Sequence, residues 1–298
     1  MRKNHIRYST EDRVFSIVTY TLATLALLIT LYPLVYCVSA SFSDPMQVVK
    51  GNVLLFPKNP TLIAYRAVAK NKSMFSGYAN TLFYTLLGTS LNLVMTIAAA
   101  YPLSKRDFRG RNGITFLFTL TMFFSGGMVP NFLLIRKLDM YNSIWALLLP
   151  GCVSAWNLVI MRTYFQSSIP EEICESAYMD GCSNINTLIR IVMPLSMPII
   201  AVMVIFYGVG HWNSYFNALL YLKDRDKYPL SLVLREILLQ GMGQEKTGAE
   251  VVDSVADLLL FETLKYAVII VSSVPMLILY PALQRYFVKG TMVGSLKG

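Results

Sequence analysis

Long apolar runs separated by polar connectors organise this chain. Six can be drawn, over residues 14–38, 81–103, 114–135, 144–165, 195–219 and 266–288. Each is near or above the roughly 20 residues that carry a helix across a bilayer core. The pattern predicts an all-α, polytopic membrane protein of six transmembrane helices, with residues 1–298 as a single membrane domain. Several runs carry helix breakers: Gly126, Gly127 and Pro130 in the third, Pro150 and Gly151 in the fourth, Pro194, Pro198, Gly208 and Gly210 in or just before the fifth, Pro275 and Pro281 in the sixth. Proline removes an intrahelical donor and glycine loosens the backbone, so kinks or breaks are expected at these places. Breaks of this kind border substrate paths in transporters, and small residues equally allow close helix packing.

Only 14% of the residues are charged, against about 25% in an ordinary soluble domain, which excludes a soluble fold of this size. The first run is too long for a signal-peptide core, and Tyr36-Cys37-Val38 stands where a small-x-small cleavage site would lie, so the run is expected to stay as a span. The four cysteines lack metal-ligand spacing and read as packing residues, so no metal site is expected.

The net charge of +9 has to be read loop by loop. Lys105, Arg106, Arg109 and Arg111 crowd the short connection between the second and third runs. Short loops and span flanks weigh most in the positive-inside rule, so that side and both termini, including tails 1–13 and 289–298, are expected in the cytoplasm. The basic clusters then report topology at the lipid bilayer, and no nucleic-acid partner is implied. The polar stretch 221–265 faces outward, and its Gly241-Met242-Gly243 segment reads as a flexible tip or a plain surface turn.

The connector 166–194 says most about function. Pro170 with Glu171 and Glu172 reads as a helix start, with acids at the positive end of the dipole. Glu171 and Glu175 lie on one face, Ile173 and Ala177 on another; Gly181 ends the helix, and a second begins at Asn184-Ile185-Asn186 and runs to Pro194. Such an elbow suits insertion into a groove on a partner.

The pattern Glu175-Ser176-Ala177, Gly181, then Ile191-Val192-Met193-Pro194 resembles the EAA loop of permease subunits of ABC importers. Ile169-Pro170-Glu171-Glu172 and Met179-Asp180-Gly181 are similar to its form in carbohydrate permeases of the maltose-transporter type. Tyr101 to Lys105, Trp212-Asn213 and the tail Lys289 to Gly298 are similar to the second, shorter permease of such importers. Gly126 to Pro130 resembles a subgroup for complex or uronic-acid oligosaccharides. Ser176 and Cys182 stand where alanine is usual, and Met193 where leucine is usual.

The resemblance implies a transport subunit with no catalytic residues of its own. A second, different permease would pair with it, two cytoplasmic ATPases would hold ATP and Mg, and an extracytoplasmic solute-binding protein would deliver an oligosaccharide. It assigns ATPase coupling to Glu171, Glu172, Glu175, Ser176, Ala177, Asp180, Gly181 and Pro194, and a contact with the ATPases to the tail at Lys297 and Gly298. No cofactor is expected on this chain. The closest approach to a phosphate-binding loop, Gly241 to Thr247, has Glu245 where that motif needs glycine.

Sugars are held by aromatic faces and hydrogen-bonding side chains, which makes Trp212, Asn213, Tyr215 and Asn217 the candidate substrate path. Sealing of helix contacts, or a place in an interfacial aromatic belt, explains the same residues. An ABC permease for another solute class and an ion-coupled secondary transporter are the alternatives, although the runs hold almost no embedded charge for ion coupling. His211 has neither a carboxylate nor a nucleophile beside it in sequence, so proton coupling and intramembrane enzymology lack their chemistry. The tail, with Gly290, Gly294 and Gly298, is expected not to form a stable helix.

Overall fold

The computed structural model describes residues 9–244 and 255–295, and among them every regular element is helical. α1 (Thr10–Ser41) is followed by the short α2 (Pro45–Val49) and α3 (Ile63–Lys70), then by α4 (Lys72–Ser104). α5 (Arg111–Phe123) and α6 (Met128–Lys137) divide the third apolar run, α7 (Trp145–Leu148) and α8 (Ala155–Ser168) the fourth. The connector holds α9 (Glu171–Met179), α10 (Asn184–Thr187), a π-helical turn at Leu188–Val192 and α11 (Met193–Leu195). α12 (Met197–Trp212) and α13 (Phe216–Tyr221) come next, and α14 (Leu230–Gln244) precedes α15 (Val255–Ser295).

α1, α4 and the Leu259–Leu279 part of α15 are long and apolar enough to cross a membrane, and two bent pairs raise the number to as many as five among the described residues. The expected break in the third run is present, as is the one beside Pro194 and Pro198 that opens the fifth, but α12 passes through Gly208 and Gly210 unbroken. α5 and α6 meet at 115°, and the arm Asn184–Leu195 turns 83° into α12. Gly127 makes the first corner possible with φ +84°, a left-handed conformation that side chains resist.

In the sixth run no break occurs, since α15 passes through Pro275 and Pro281. A mid-helix proline deletes one rung of the ladder, and neighbouring groups can re-satisfy it. The tail departs from expectation, because α15 runs through Gly290 and Gly294 to Ser295. Each glycine costs about 1 kcal/mol relative to alanine, but a helix already nucleated upstream meets only the propagation cost. Gly241 and Gly243 likewise lie inside α14 instead of forming a turn. Lys297 and Gly298, with Glu245, Lys246 and Thr247, lie outside the described residues.

The described chain forms two compact units, one running up to Asn71 and including Ile237–Val271, the other Lys72–Glu236 with the chain from Ser272 onward. In the first unit α1 is exposed along its apolar length and buries only Ser39, Ala40 and Ser41 at its end. Serines tie the following loop there: Ser39 Oγ donates to Leu55 O (2.6 Å), and Ser43 Oγ accepts from Lys58 N (3.0 Å).

In the second unit α4 is the centre and packs on α8 and α12. Its buried residues include a small and polar stripe, Gly77, Thr81, Thr85, Gly88, Thr89, Asn92, Thr96 and Ala100, beside larger side chains such as Tyr84, Ile97 and Tyr101. Leu82, Phe83, Leu86 and Val94 point outward. This inversion of soluble amphipathicity suits a helix with lipid outside and backbone-close neighbours inside. Gly88 shows how close: a Cβ there would stand 2.5 Å from the His211 ring.

At the Lys72 end of α4, side chains hold the loop that follows α13. Asn80 Nδ2 donates to Asp226 O (2.6 Å), Tyr84 OH to Lys227 O (2.9 Å), and Thr81 Oγ1 accepts from Leu230 N (2.7 Å). Asn142, in the left-handed region at φ 59°, accepts from the amides of Lys223 and Asp224 and donates Nδ2 to the Asp224 carboxylate at 2.7 Å.

Candidate functional site

The connector folds as an elbow whose corners are fixed by local chemistry. Pro170 enters α9 in an extended conformation, and Glu171 and Glu172 occupy the first turn, where the helix dipole favours acids. At the other end Gly181 takes φ +78°, Gly181 N donates to Tyr178 O (3.0 Å) and Cys182 N to Ala177 O (2.9 Å). This is the Schellman pairing, which satisfies carbonyls the helix end leaves free. Ser183 Oγ accepts from Asn186 N (3.4 Å) to begin α10, and Tyr178 OH donates to Asn184 Oδ1 (2.7 Å), bracing one arm against the other.

Burial sorts the predicted coupling residues. Ala177 is buried, and Cys174 is too, within the core that includes Tyr101, Leu103, Phe165, Ile169 and Val192. Ile173, expected on the face with Ala177, is 40% exposed instead, since Cys174 takes the inward position. Glu171, Glu172, Glu175, Ser176, Asp180 and Gly181 are on the exposed side. Ser176 Oγ turns back to donate to Glu172 O (2.7 Å). Pro194 sits in the short α11, and the arm runs on to Leu195 before bending at Ser196, so proline does not itself end it.

Sequence reasoning missed the elbow's exposed apolar points, Met179 at 88%, Ile185 at 68% and Ile189 at 55% exposure. Their signal was present as apolar residues on an otherwise polar connector. It also missed the ring of contacts behind α9. Lys105 Nζ stands 5.1 Å from the Tyr101 ring centre and 5.7 Å from that of Tyr178, a cation–π bridge from the end of α4 to α9. Arg106 and Glu171 pair at 3.4 Å, but both are largely exposed, so the pair is worth at most about 1 kcal/mol. A cavity of about 570 Å³ opens beside them, lined in part by Tyr101, Lys105, Arg106, Arg111, Glu171 and Glu172.

The four fifth-run candidates do not converge. Trp212 is buried, donates Nε1 to Ser272 O (3.1 Å) and meets Tyr78 edge-on at 5.7 Å. Asn213 is exposed and donates Nδ2 back to Val209 O (3.0 Å). Tyr215 and Asn217 are exposed. Trp212 and Asn213 border a cavity of about 350 Å³ whose other walls include Ser231, Ser272, Leu234 and Met276. His211 Nε2 lies 2.6 Å from Asn92 Oδ1. Among the described residues no group of three His, Cys, Asp or Glu side chains is arranged to hold a metal, and all four cysteines are free thiols.

Chains similar to this one in sequence and in fold are known. The chain is 37% identical to the polygalacturonan/rhamnogalacturonan transport system permease protein YtcP of Bacillus subtilis (strain 168), over 97% of its own length and 100% of that protein. It is also 37% identical to the protein LplC of the same organism, over the full length of both. Among solved structures, a chain of a bacterial ABC transporter involved in the import of the acidic polysaccharide alginate superposes with a TM-score of 0.85 at 34% identity, covering 94% of this chain and 99% of that one. The model of the binding-protein-dependent transport system inner membrane component family matches residues 7–293. The chain therefore belongs to that family, the permease subunits of ABC importers, and is a transport subunit and not an enzyme.

Proposed function

We propose that the elbow 166–194 is where ATPase subunits dock, and that the chain is one of two different permeases in an importer for oligosaccharides rich in uronic acids. The observation that carries the docking reading is the elbow's division of labour: Cys174 and Ala177 root it, while Glu172, Glu175, Met179, Asp180 and Ile185 stand exposed on a corner locked by Gly181. A rigid, partly apolar knob of this kind matches helix-in-groove recognition. With both termini in the cytoplasm the elbow meets two cytoplasmic ATPases, which bind ATP and Mg; this chain binds no cofactor.

On the opposite side, the loop pinned by Asn80, Tyr84 and Asn142 faces an extracytoplasmic solute-binding protein. Two relatives, one named for polygalacturonan/rhamnogalacturonan transport and one involved in the import of the acidic polysaccharide alginate, support the substrate class. Asn213, Tyr215 and Asn217 offer exposed polar groups to the solute, while Trp212 holds the helix contact behind them. Alternating access follows when ATP closure of the docked dimer swings the elbow.

The test is purification of the complex from its native host, with ATPase activity measured against binding protein loaded with uronic or neutral oligosaccharides. Stimulation by the uronic form, and loss of copurifying ATPase in Glu175→Lys, are expected. A protein that carries solute in vesicles without any ATPase overturns the reading.

A further inference from the structure

α4 ends with every terminal carbonyl accounted for, and half of the donors come from another helix. The last four carbonyls of an α-helix have no intrahelical partner. Here Tyr101 O accepts from Ser104 Oγ (2.6 Å) and Pro102 O from Lys105 N (3.1 Å), both local. Leu103 O accepts from Arg162 Nε (2.9 Å), and Ser104 O from Gln166 Nε2 (3.3 Å), both on α8. One residue further on, Lys105 O accepts from an Arg111 guanidinium nitrogen (3.3 Å).

The two α8 donors lie one turn apart, with Phe165 on the same stripe. Phe165 meets the Tyr101 ring edge-on at 6.5 Å. The stripe 162, 165 and 166 thus grips the last turn of α4 by two hydrogen bonds and one ring contact. Arg162 also brings a cation to the negative end of the α4 dipole, which strengthens its bond to Leu103 O beyond that of a neutral donor.

α8 leads into the elbow with no slack. Only Ile169 and Pro170 separate Ser168 from Glu171; Ile169 is buried and Pro170 has a fixed φ. Lys105, held between the Tyr101 and Tyr178 rings, closes the triangle from α4 directly to α9. A displacement of α9 that carries α8 with it cannot leave the end of α4 behind without stripping donors from its carbonyls.

We propose that Arg162 and Gln166 are positioning residues that lock α4 to the coupling elbow, so that movement imposed on α9 enters the membrane through α4 as well as through the chain's own path into α12. The proposal rests on the reading of the elbow as the ATPase-docking lever. Arg162 lies ahead of the elbow 166–194, and Gln166 is its first residue, before the exposed docking residues from Glu172 to Ile185, with its amide turned to Ser104 O. Their contribution is to the yield of transport from each ATP hydrolysed.

The assembled importer in lipid nanodiscs or proteoliposomes tests this with Arg162→Met, Gln166→Leu and the double variant. Copurified ATPase, ATPase activity with and without binding protein, and solute imported per ATP are measured on each. The expected result is retained ATPase with import per ATP reduced about tenfold in Arg162→Met, the scale of one charge-assisted hydrogen bond. A smaller loss is expected in Gln166→Leu, and partial rescue in Arg162→Lys, whose ammonium can still donate to Leu103 O.

An unchanged ratio of import to hydrolysis in the double variant overturns the proposal. So does a fall in import that only tracks a fall in assembled complex, because a merely structural role lowers the amount and leaves the ratio alone. If the double variant does not assemble, Arg162→Met alone decides, since Arg162 lies outside the elbow 166–194 and makes the shorter of the two bonds. Glu175→Lys, measured in parallel, reads docking by itself, so a failure of docking is told apart from a failure of transmission.

Discussion

His211 and Asn92 stand 119 residues apart in sequence and 2.6 Å apart in space, Nε2 to Oδ1. Asn92 Nδ2 donates to both Gly151 O and Cys152 O at 2.8 Å, so its Oδ1 is the acceptor and His211 must carry its proton on Nε2. One amide thereby ties α4, the break after α7, and α12. Asn92 is 1% exposed, and its loss strands one donor and two carbonyls. Asn92→Leu should therefore destabilise the protein by about 1–3 kcal/mol, the cost of one unsatisfied buried group, because the Gly151 and Cys152 carbonyls are less enclosed. Thermal unfolding in detergent measures this, and a midpoint within a degree of the parent would contradict the assignment.

Gly181 is a conformational requirement and not a steric one. A methyl group added there would meet nothing within 4 Å, yet the residue's φ is +78°. Gly181→Ala should cost about 1–2 kcal/mol through backbone strain alone, weaken the Schellman corner and lower recovery of the ATPase with the complex. Gly181→Asn, which tolerates the left-handed region, should retain more. Equal recovery in both variants would remove the corner from the docking argument.

The Asp224 carboxyl sits below its ordinary range, first because Asn142 Nδ2 donates to it and then because Lys227 does. A carboxylate whose folded pKa is depressed contributes to stability above its unfolded pKa and loses that contribution as pH falls through the folded one. The Asn142–Asp224–Lys227 cluster should thus be intact at neutral pH and open only in acid, below the ordinary carboxylate range. Carbon-13 labelling of aspartate follows the titration directly. In Asn142→Ala the Asp224 midpoint should rise toward its ordinary value, and an unmoved midpoint would show that Asn142 is not the main cause.

Much of the elbow was legible in the sequence, because its determinants are local. Pro170, the acids beside it, and Gly181 act within one helix turn of where they stand, and α9 begins and ends where they indicate. The corner at Gly127 was legible for the same reason. The capping of α4 by Arg162 and Gln166 was not, since an arginine near a span end reads equally as a topology signal. Nor was the Asn92–His211 pair: one sequence carries no sign of which distant residue will complete a buried amide.

The prolines of α15 and the glycines of its tail decide less than their local propensity suggests. That propensity opposes a long helix that is already formed, and it loses. The substrate-path residues show the converse difficulty. Trp212, Asn213, Tyr215 and Asn217 look alike in sequence, but they divide into one buried ring and three exposed side chains once α15 packs against α12.

The small, polar buried stripe of α4 also has a consequence for how the protein is made. Asn92 and Thr96 find His211 and Tyr207 only on α12, more than a hundred residues downstream. At translation speeds of about 5–20 residues per second, that interval lasts roughly ten seconds. Until α12 is made, Asn92 Oδ1 and the Thr96 hydroxyl lack these partners, whereas α1, apolar on all sides, can pass into lipid alone. Biogenesis of this subunit is therefore a delayed assembly, in which α4 waits for α12.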